Sequence, residues 1–184
     1  MLKPMPVKFT LAFAALVLLS GCNGGSSSRP SATQVVPTAP FSLAIVPASG
    51  SIWMARNNRG EFYVLLSNTS DKPQTVFQNG NSWGYQAVSF VMTANGTTFF
   101  IRPRIHGWTW NFPSTFVIAP GEHQIYAIRL DEWWEAHPSI SKADELPISL
   151  KAVYEVDTTP ESAQFKVWTG RVESHFYDFT LKQF

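Results

Sequence analysis

Residues 86–102 read QAVSFVMTANGTTFFIR, and they carry the clearest indication of the fold of this chain. Val88, Phe90 and Met92 recur with a period of two, which places them on one face of an extended strand. Asn95-Gly96 follows, and both residue types tolerate the positive φ angles of a two-residue hairpin turn. The residues after this turn return as the partner strand. The stretch therefore predicts an antiparallel β-hairpin with one apolar face.

The period of two continues outward from this hairpin. Pro147–Val156 carries Ile148, Leu150, Ala152 and Tyr154 on one face and Ser149, Lys151 and Glu155 on the other. Ala119-Pro120-Gly121-Glu122 has proline and glycine at the two central positions of a type II turn. Val172–Leu181 is predicted as the last long strand. A single short helix is predicted at Asp131–Ala136, with Asp131 as its cap.

Many short strands with turn signals between them, and no long amphipathic helix, predict an antiparallel β-sandwich. The order of strands, the Asn68–Pro73 turn, the Asn95-Gly96 hairpin and the strand pair around Ala119–Glu122 resembles the immunoglobulin-like domains of bacterial envelope proteins. The resemblance covers residues 41–181. It implies an all-β, immunoglobulin-like antiparallel β-sandwich, a single domain over residues 41–184 with one short helix. The apolar faces predict a core that contains Leu65, Phe90, Ile128, Leu150 and Tyr154.

The N-terminal stretch has the layout of a secretory signal peptide. Lys3 and Lys8 precede an apolar run, Phe9–Leu19, which is too short for a stable membrane-spanning helix of about 20 residues. Leu19-Ser20-Gly21-Cys22 then resembles the lipobox of bacterial lipoproteins and holds the only cysteine. The resemblance, to small bacterial lipoproteins with an immunoglobulin-like domain, implies that the thiol of Cys22 is acylated and that the mature chain begins there.

The predicted organisation is therefore a lipoprotein signal peptide at 1–21, lipidated Cys22 with a flexible Gly/Ser/Pro-rich linker at 22–40, and the sandwich domain. Acyl chains contribute about 0.8 kcal/mol per buried CH₂, so several chains on one cysteine hold a domain firmly at a membrane. Asn23 is not aspartate, and the resemblance then favours the outer membrane, facing the periplasm. The chain loses only Lys3 and Lys8 with the signal peptide, which leaves 12 basic against 13 acidic residues. This balance disfavours nucleic acid as a partner.

Residue patterns typical of catalysis or metal binding are weak in this sequence. The four histidines form no HExxH or H-x-E pattern. Asp131, Glu132, Glu135 and His137 could offer metal ligands, but the pattern favours a solvated acidic helix with an ordinary surface histidine. Glu173, His175 and Tyr177 alternate and are predicted to share the outward face of the last strand. We therefore predict no catalytic residues, no metal, no cofactor and no enzymatic activity.

Tryptophan is the residue type that suggests a binding site. Trp108 and Trp110 alternate with Phe112 in the long segment Pro103–Pro113, and Trp83 precedes a strand. Rings on one side of an extended segment could stack on sugars or contact a peptide, with Trp108, Trp110 and Trp83 as the ligand-binding residues. The alternative is that these rings close the ends of the core. Alternation predicts that Trp108 and Trp110 share one role. Three arginines could join such a site or merely end strands, namely Arg102, Arg104 and Arg171.

Three functions remain open at this point. The first is a non-catalytic envelope lipoprotein with a protein-interaction or assembly role, anchored to the membrane through Cys22. The second is a module that binds a glycan or cell-wall ligand with the Trp-rich loop. The third is a hydrolase on a sandwich scaffold. An exposed apolar patch favours the first, exposed tryptophans beside polar groups favour the second, and titratable groups that converge in a cleft favour the third.

Overall fold

The computed structural model describes residues 39–54, 62–105, 107–108, 110–131, 133–135, 138 and 145–183, with the backbone alone at 53, 54 and 183. The predicted signal peptide, Cys22 and most of the linker lie outside the described residues. His106, Glu132 and His137 do so as well.

Strands dominate the described residues, and the helices are short. The strands are β1 (Phe41–Pro47), β2 (Ser51–Met54), β3 (Phe62–Asn68), β4 (Gln74–Phe77), β5 (Val88–Ala94), β6 (Thr97–Ile101), β7 (Thr115–Ile118), β8 (His123–Ile128), β9 (Glu145–Val156), β10 (Gly170–Glu173) and β11 (Tyr177–Gln183). The helices are α1 (Ser82–Tyr85) and α2 (Pro160–Gln164). A short additional ladder joins β4 to β7.

Two sheets face each other across the core. The smaller sheet has the order β1-β3-β8, and the larger has the order β2-β11-β9-β5-β6, with β10 also paired to β9. The ring of Phe62 on β3 meets the ring of Phe90 on β5 at a centroid distance of 5.4 Å. Tyr126 on β8 similarly lies 6.2 Å from Tyr154 on β9. Side chains from the two sheets therefore interdigitate, as in a sandwich.

The strand order is that of an immunoglobulin-like sandwich. Strands β1-β3-β8 correspond to A-B-E of that fold, and β11-β9-β5 correspond to G-F-C. The chain leaves the smaller sheet after Pro47, and β2 then pairs in parallel with β11 in the larger sheet. The other strand pairs of the described residues are antiparallel. The predicted fold class is confirmed.

Most of the predicted core is confirmed, and one member is wrong. Phe90, Ile128, Leu150 and Tyr154 are all buried. Leu65 is only half-buried, because Val64 and Leu66 on either side of it point into the core. The run of apolar residues in β3 has no clear alternation, so the sequence did not define which face is buried. Leu65 instead lies between Ala44 and Ile125 on the outer face of the smaller sheet.

The two turns that the sequence predicts are confirmed. Asn95 and Gly96 have φ angles of 48° and 74°, and they join β5 to β6. Gly121 has a φ angle of 77°, and the N–H of Glu122 donates to the carbonyl oxygen of Ala119 at 3.0 Å. Glycine or asparagine is favoured at these positions because most other residue types are strained at a positive φ angle.

The last predicted strand is interrupted by a β-bulge. Glu173 faces Val153 on β9 and Tyr177 faces Leu150, so one extra residue lies on the β10–β11 side. Ser174 completes the bulge, because its Oγ accepts a hydrogen bond from the N–H of Ala152 at 2.9 Å. The extra residue reverses the alternation. The prediction that Glu173 and Tyr177 share one face with His175 is therefore wrong.

The helix predicted at Asp131–Ala136 is also wrong for its described part. The Oδ1 of Asp131 accepts the N–H of Trp133 at 3.0 Å, as the predicted helix cap would. Trp133, however, lies in a turn and not in a helix. Trp134 then forms a β-bridge with Pro103. Pairing with a neighbouring segment satisfies these backbone groups in place of helical hydrogen bonds.

Candidate functional site

The segment Pro103–Pro113, which connects β6 to β7, carries the most exposed aromatic rings of the described residues, and we call it the aromatic loop. Trp110 is 78% exposed and Phe112 is 68% exposed. Their rings stack at a centroid distance of 6.4 Å and an angle of 29°. The two rings thus form one contiguous apolar surface that faces solvent.

Hydrogen bonds to the base of the aromatic loop fix the position of this surface. The Oδ1 of Asn111 accepts the backbone N–H of Ser82 at 3.0 Å, and its Nδ2 donates to the Oγ of Ser82 at 2.8 Å. Asn111 therefore points toward α1. Its two sequence neighbours, Trp110 and Phe112, remain exposed to solvent. Asn81 anchors the end of the loop by donating to the carbonyl oxygen of Ser114 at 3.1 Å.

Trp108 occupies a different environment from Trp110. Its ring is half-buried and contacts the ring of Tyr85 edge-on at a centroid distance of 5.8 Å. Burial and the charge of Asp131 raise the pKa of Tyr85. The backbone bends at Trp110, so the alternation of an extended segment does not extend from Trp108 to Trp110. The expectation that the two rings share one role does not fit this difference in exposure.

Two further exposed apolar side chains lie at the beginning of the aromatic loop. Ile105 is 83% exposed and Trp133 is 53% exposed. The N–H of Arg104 donates to the carbonyl oxygen of Trp133 at 2.7 Å, and the N–H of Glu135 donates to that of Arg102 at 2.8 Å. These bonds hold the backbone of Trp133 against Arg104, the residue before Ile105. Exposed apolar side chains therefore also occur where the aromatic loop begins.

Trp83, the third predicted ligand-binding residue, lies in a cleft. The cleft has a volume of about 510 Å³ and opens beside the beginning of the aromatic loop. The Trp83 ring is half-buried and packs against Phe77 at a centroid distance of 6.1 Å. The polar groups of the cleft include Gln86, Arg102, Glu135, Glu155 and Asp157. Except for Glu155 and Asp157, these residues are distant in sequence, so no local pattern could have predicted that they meet.

A network of ion pairs covers the outer face of the larger sheet next to this cleft. Arg171 pairs with Glu155 at 2.6 Å and with Glu173 at 2.7 Å, and Lys151 pairs with Glu173 at 2.5 Å. The hydrogen bonds from Lys151 and Arg171 lower the pKa of Glu173. The same network raises the pKa of Arg171 through its hydrogen bond to Glu173. Arg171 therefore holds Glu155 at the edge of the cleft.

Among the described residues, no group of three or more histidine, cysteine, aspartate or glutamate side chains could hold a metal ion. Glu132 and His137 of the acidic cluster considered above lie outside that part of the chain. The same residues include no helix with the length and apolar character needed to cross a membrane. Comparison of the sequence with protein families and with curated proteins gives no match. The aromatic loop and the cleft are the candidate binding surfaces among the described residues.

Proposed function

We propose that this chain is a membrane-anchored envelope lipoprotein with a non-catalytic role, and that the aromatic loop binds another envelope protein. The observation that carries the proposal is the exposed stack of Trp110 on Phe112. Aromatic rings supply most of the binding energy at many protein interfaces, because they bury a large area with few rotatable bonds. The hydrogen bonds of Asn111 and Asn81 order this surface before a partner arrives, which lowers the entropic cost of binding.

We expect Trp110→Ala to weaken partner binding strongly without unfolding the domain. An exposed ring contributes little to folding, so the melting temperature should stay within a few degrees of the parent value. Loss of a central aromatic contact should weaken binding by at least about 30-fold. Differential scanning fluorimetry measures the first quantity, and titration with the purified partner measures the second.

The partner can be found by placing a photoreactive phenylalanine analogue at position 110 in the native bacterium. The proposal expects one discrete crosslink to a second envelope protein. Val117 on β7, which is 56% exposed, provides the matched control position, where no such crosslink should form. Crosslinks to lipid alone, or equal crosslinking at both positions, would contradict a protein partner.

The anchor is tested separately at Cys22. We expect Cys22→Ser to leave the chain without acyl groups, so that it is released from the membrane or retained as an uncut precursor. Partitioning into a Triton X-114 detergent phase and the intact mass of the purified chain measure this result. A mature parent chain with an unmodified Cys22 thiol that stays in the aqueous phase would overturn the anchor.

A further inference from the structure

The cleft beside the aromatic loop has one apolar wall. Trp83 and Phe77 form part of it, and Ile105 adds an aliphatic surface at the loop. Helix α1 holds Trp83 in place, because Asn81 caps this helix by accepting the N–H of Gly84 at 2.9 Å. A partly exposed indole on a fixed turn provides a flat surface that a ligand can cover.

The remaining lining of the cleft is polar and mixed in character. Glu135, Glu155 and Asp157 supply hydrogen-bond acceptors, whereas the Arg102 guanidinium supplies donors. Of the three carboxylates, Glu155 has its ion pair with Arg171. Within the described residues, neither Glu135 nor Asp157 forms an ion pair. Their oxygens can therefore accept hydrogen bonds from a ligand.

This combination fits a neutral polyhydroxylated ligand better than a charged one. Three carboxylates against one lining arginine repel an anion such as a phosphate or an acidic sugar. Arg102 lies in the lining, and Arg171 is paired with Glu155. Both positive charges weaken the electrostatic attraction of the cleft for a cation. A sugar hydroxyl both donates and accepts hydrogen bonds, and the C–H face of a sugar ring can lie against an indole. The volume is in the range of small-molecule sites.

We propose that the cleft is a binding site for a neutral oligosaccharide, with Trp83 against the sugar ring and Glu135 and Asp157 as hydrogen-bond acceptors for its hydroxyls. The sequence associated Trp83 with Trp108 and Trp110 in one glycan site. The structure provides a different set of neighbours for Trp83, and neither Trp110 nor Phe112 lines the cleft. This proposal holds whether or not the aromatic loop binds a partner protein.

The test is an array of neutral, amino and acidic oligosaccharides probed with the parent domain, followed by calorimetric titration of the tightest neutral ligand. We expect binding of neutral members and about tenfold weaker binding after Asp157→Ala or Glu135→Ala, because each removes acceptors that a hydroxyl would use. Asp71→Ala is the matched control, since Asp71 is an exposed carboxylate of the β3–β4 turn. It should bind like the parent.

Trp83 is tested by two substitutions, because its packing on Phe77 also supports α1. Trp83→Ala should abolish binding, whereas Trp83→Phe keeps an aromatic face and should retain part of it. The array result overturns the proposal if no neutral oligosaccharide binds, or if only acidic members bind. A lysine-rich peptide that binds the parent and is lost in Asp157→Ala would show a cationic site instead. Release of shorter sugars from the bound oligosaccharide would show a hydrolase.

Discussion

Phe90→Ala is expected to lower the free energy of unfolding by about 3–5 kcal/mol, the usual cost of removing a buried phenylalanine ring. Phe90 is 1% exposed, and its ring contacts Phe62 of the opposite sheet and Trp134 at 5.3 Å. The substitution leaves a cavity at the junction of both sheets. Since a single domain is stable by only about 5–15 kcal/mol, this loss is a large share of the total. Urea denaturation measures it directly.

Phe100→Ala is the control for this substitution. Phe100 lies on the neighbouring strand β6, but it is 63% exposed on the outer face of the larger sheet. Removal of an exposed ring should change the free energy of unfolding by no more than about 0.5 kcal/mol. Equal losses for the two variants, or a loss below about 1 kcal/mol for Phe90→Ala, would contradict a sandwich core centred on this residue.

Gly84→Ala is expected to destabilise the domain by about 3 kcal/mol and to weaken both binding surfaces. A Cβ atom at Gly84 would lie 2.0 Å from the carbonyl oxygen of Gln78, which belongs to the backbone and cannot rotate away. The strain would displace α1, which carries Trp83 for the cleft and bonds to Asn111 of the aromatic loop through Ser82. The free energy of unfolding and binding to the partner and the oligosaccharide would be measured together.

Gly80→Ala separates this clash from a general effect of replacing glycine. Gly80 lies in the turn just before α1, and a Cβ atom there would have no neighbour within 4 Å. This variant should fold and bind like the parent. A Gly84→Ala chain with parent stability and parent binding would show that α1 is not the common support of the two surfaces.

The parts of the fold that depend on local geometry could be predicted from the amino-acid sequence. The alternation in β5 and β9 defined which side chains are buried, and the Asn95-Gly96 and Pro120-Gly121 turns were correct because positive φ angles restrict the residue type. Where the pattern was ambiguous, the prediction failed. The uninterrupted apolar residues around Leu65 suit either face of a strand, and the two helices are too short to have a visible period.

The other features could not be predicted from local patterns, because they depend on which distant residues come together in the folded domain. The bulge at Ser174 follows from pairing with Ala152, and pairing with the segment 102–104 converts the predicted helix near Trp133 into a turn and a bridge. The candidate sites have the same origin. Trp110 is exposed next to Asn111, which is bound to Ser82 of α1, whereas Trp83 faces a cleft whose carboxylates come from Glu135, Glu155 and Asp157. These residues are scattered along the sequence, and the packing of the folded domain places the cleft residues next to one another.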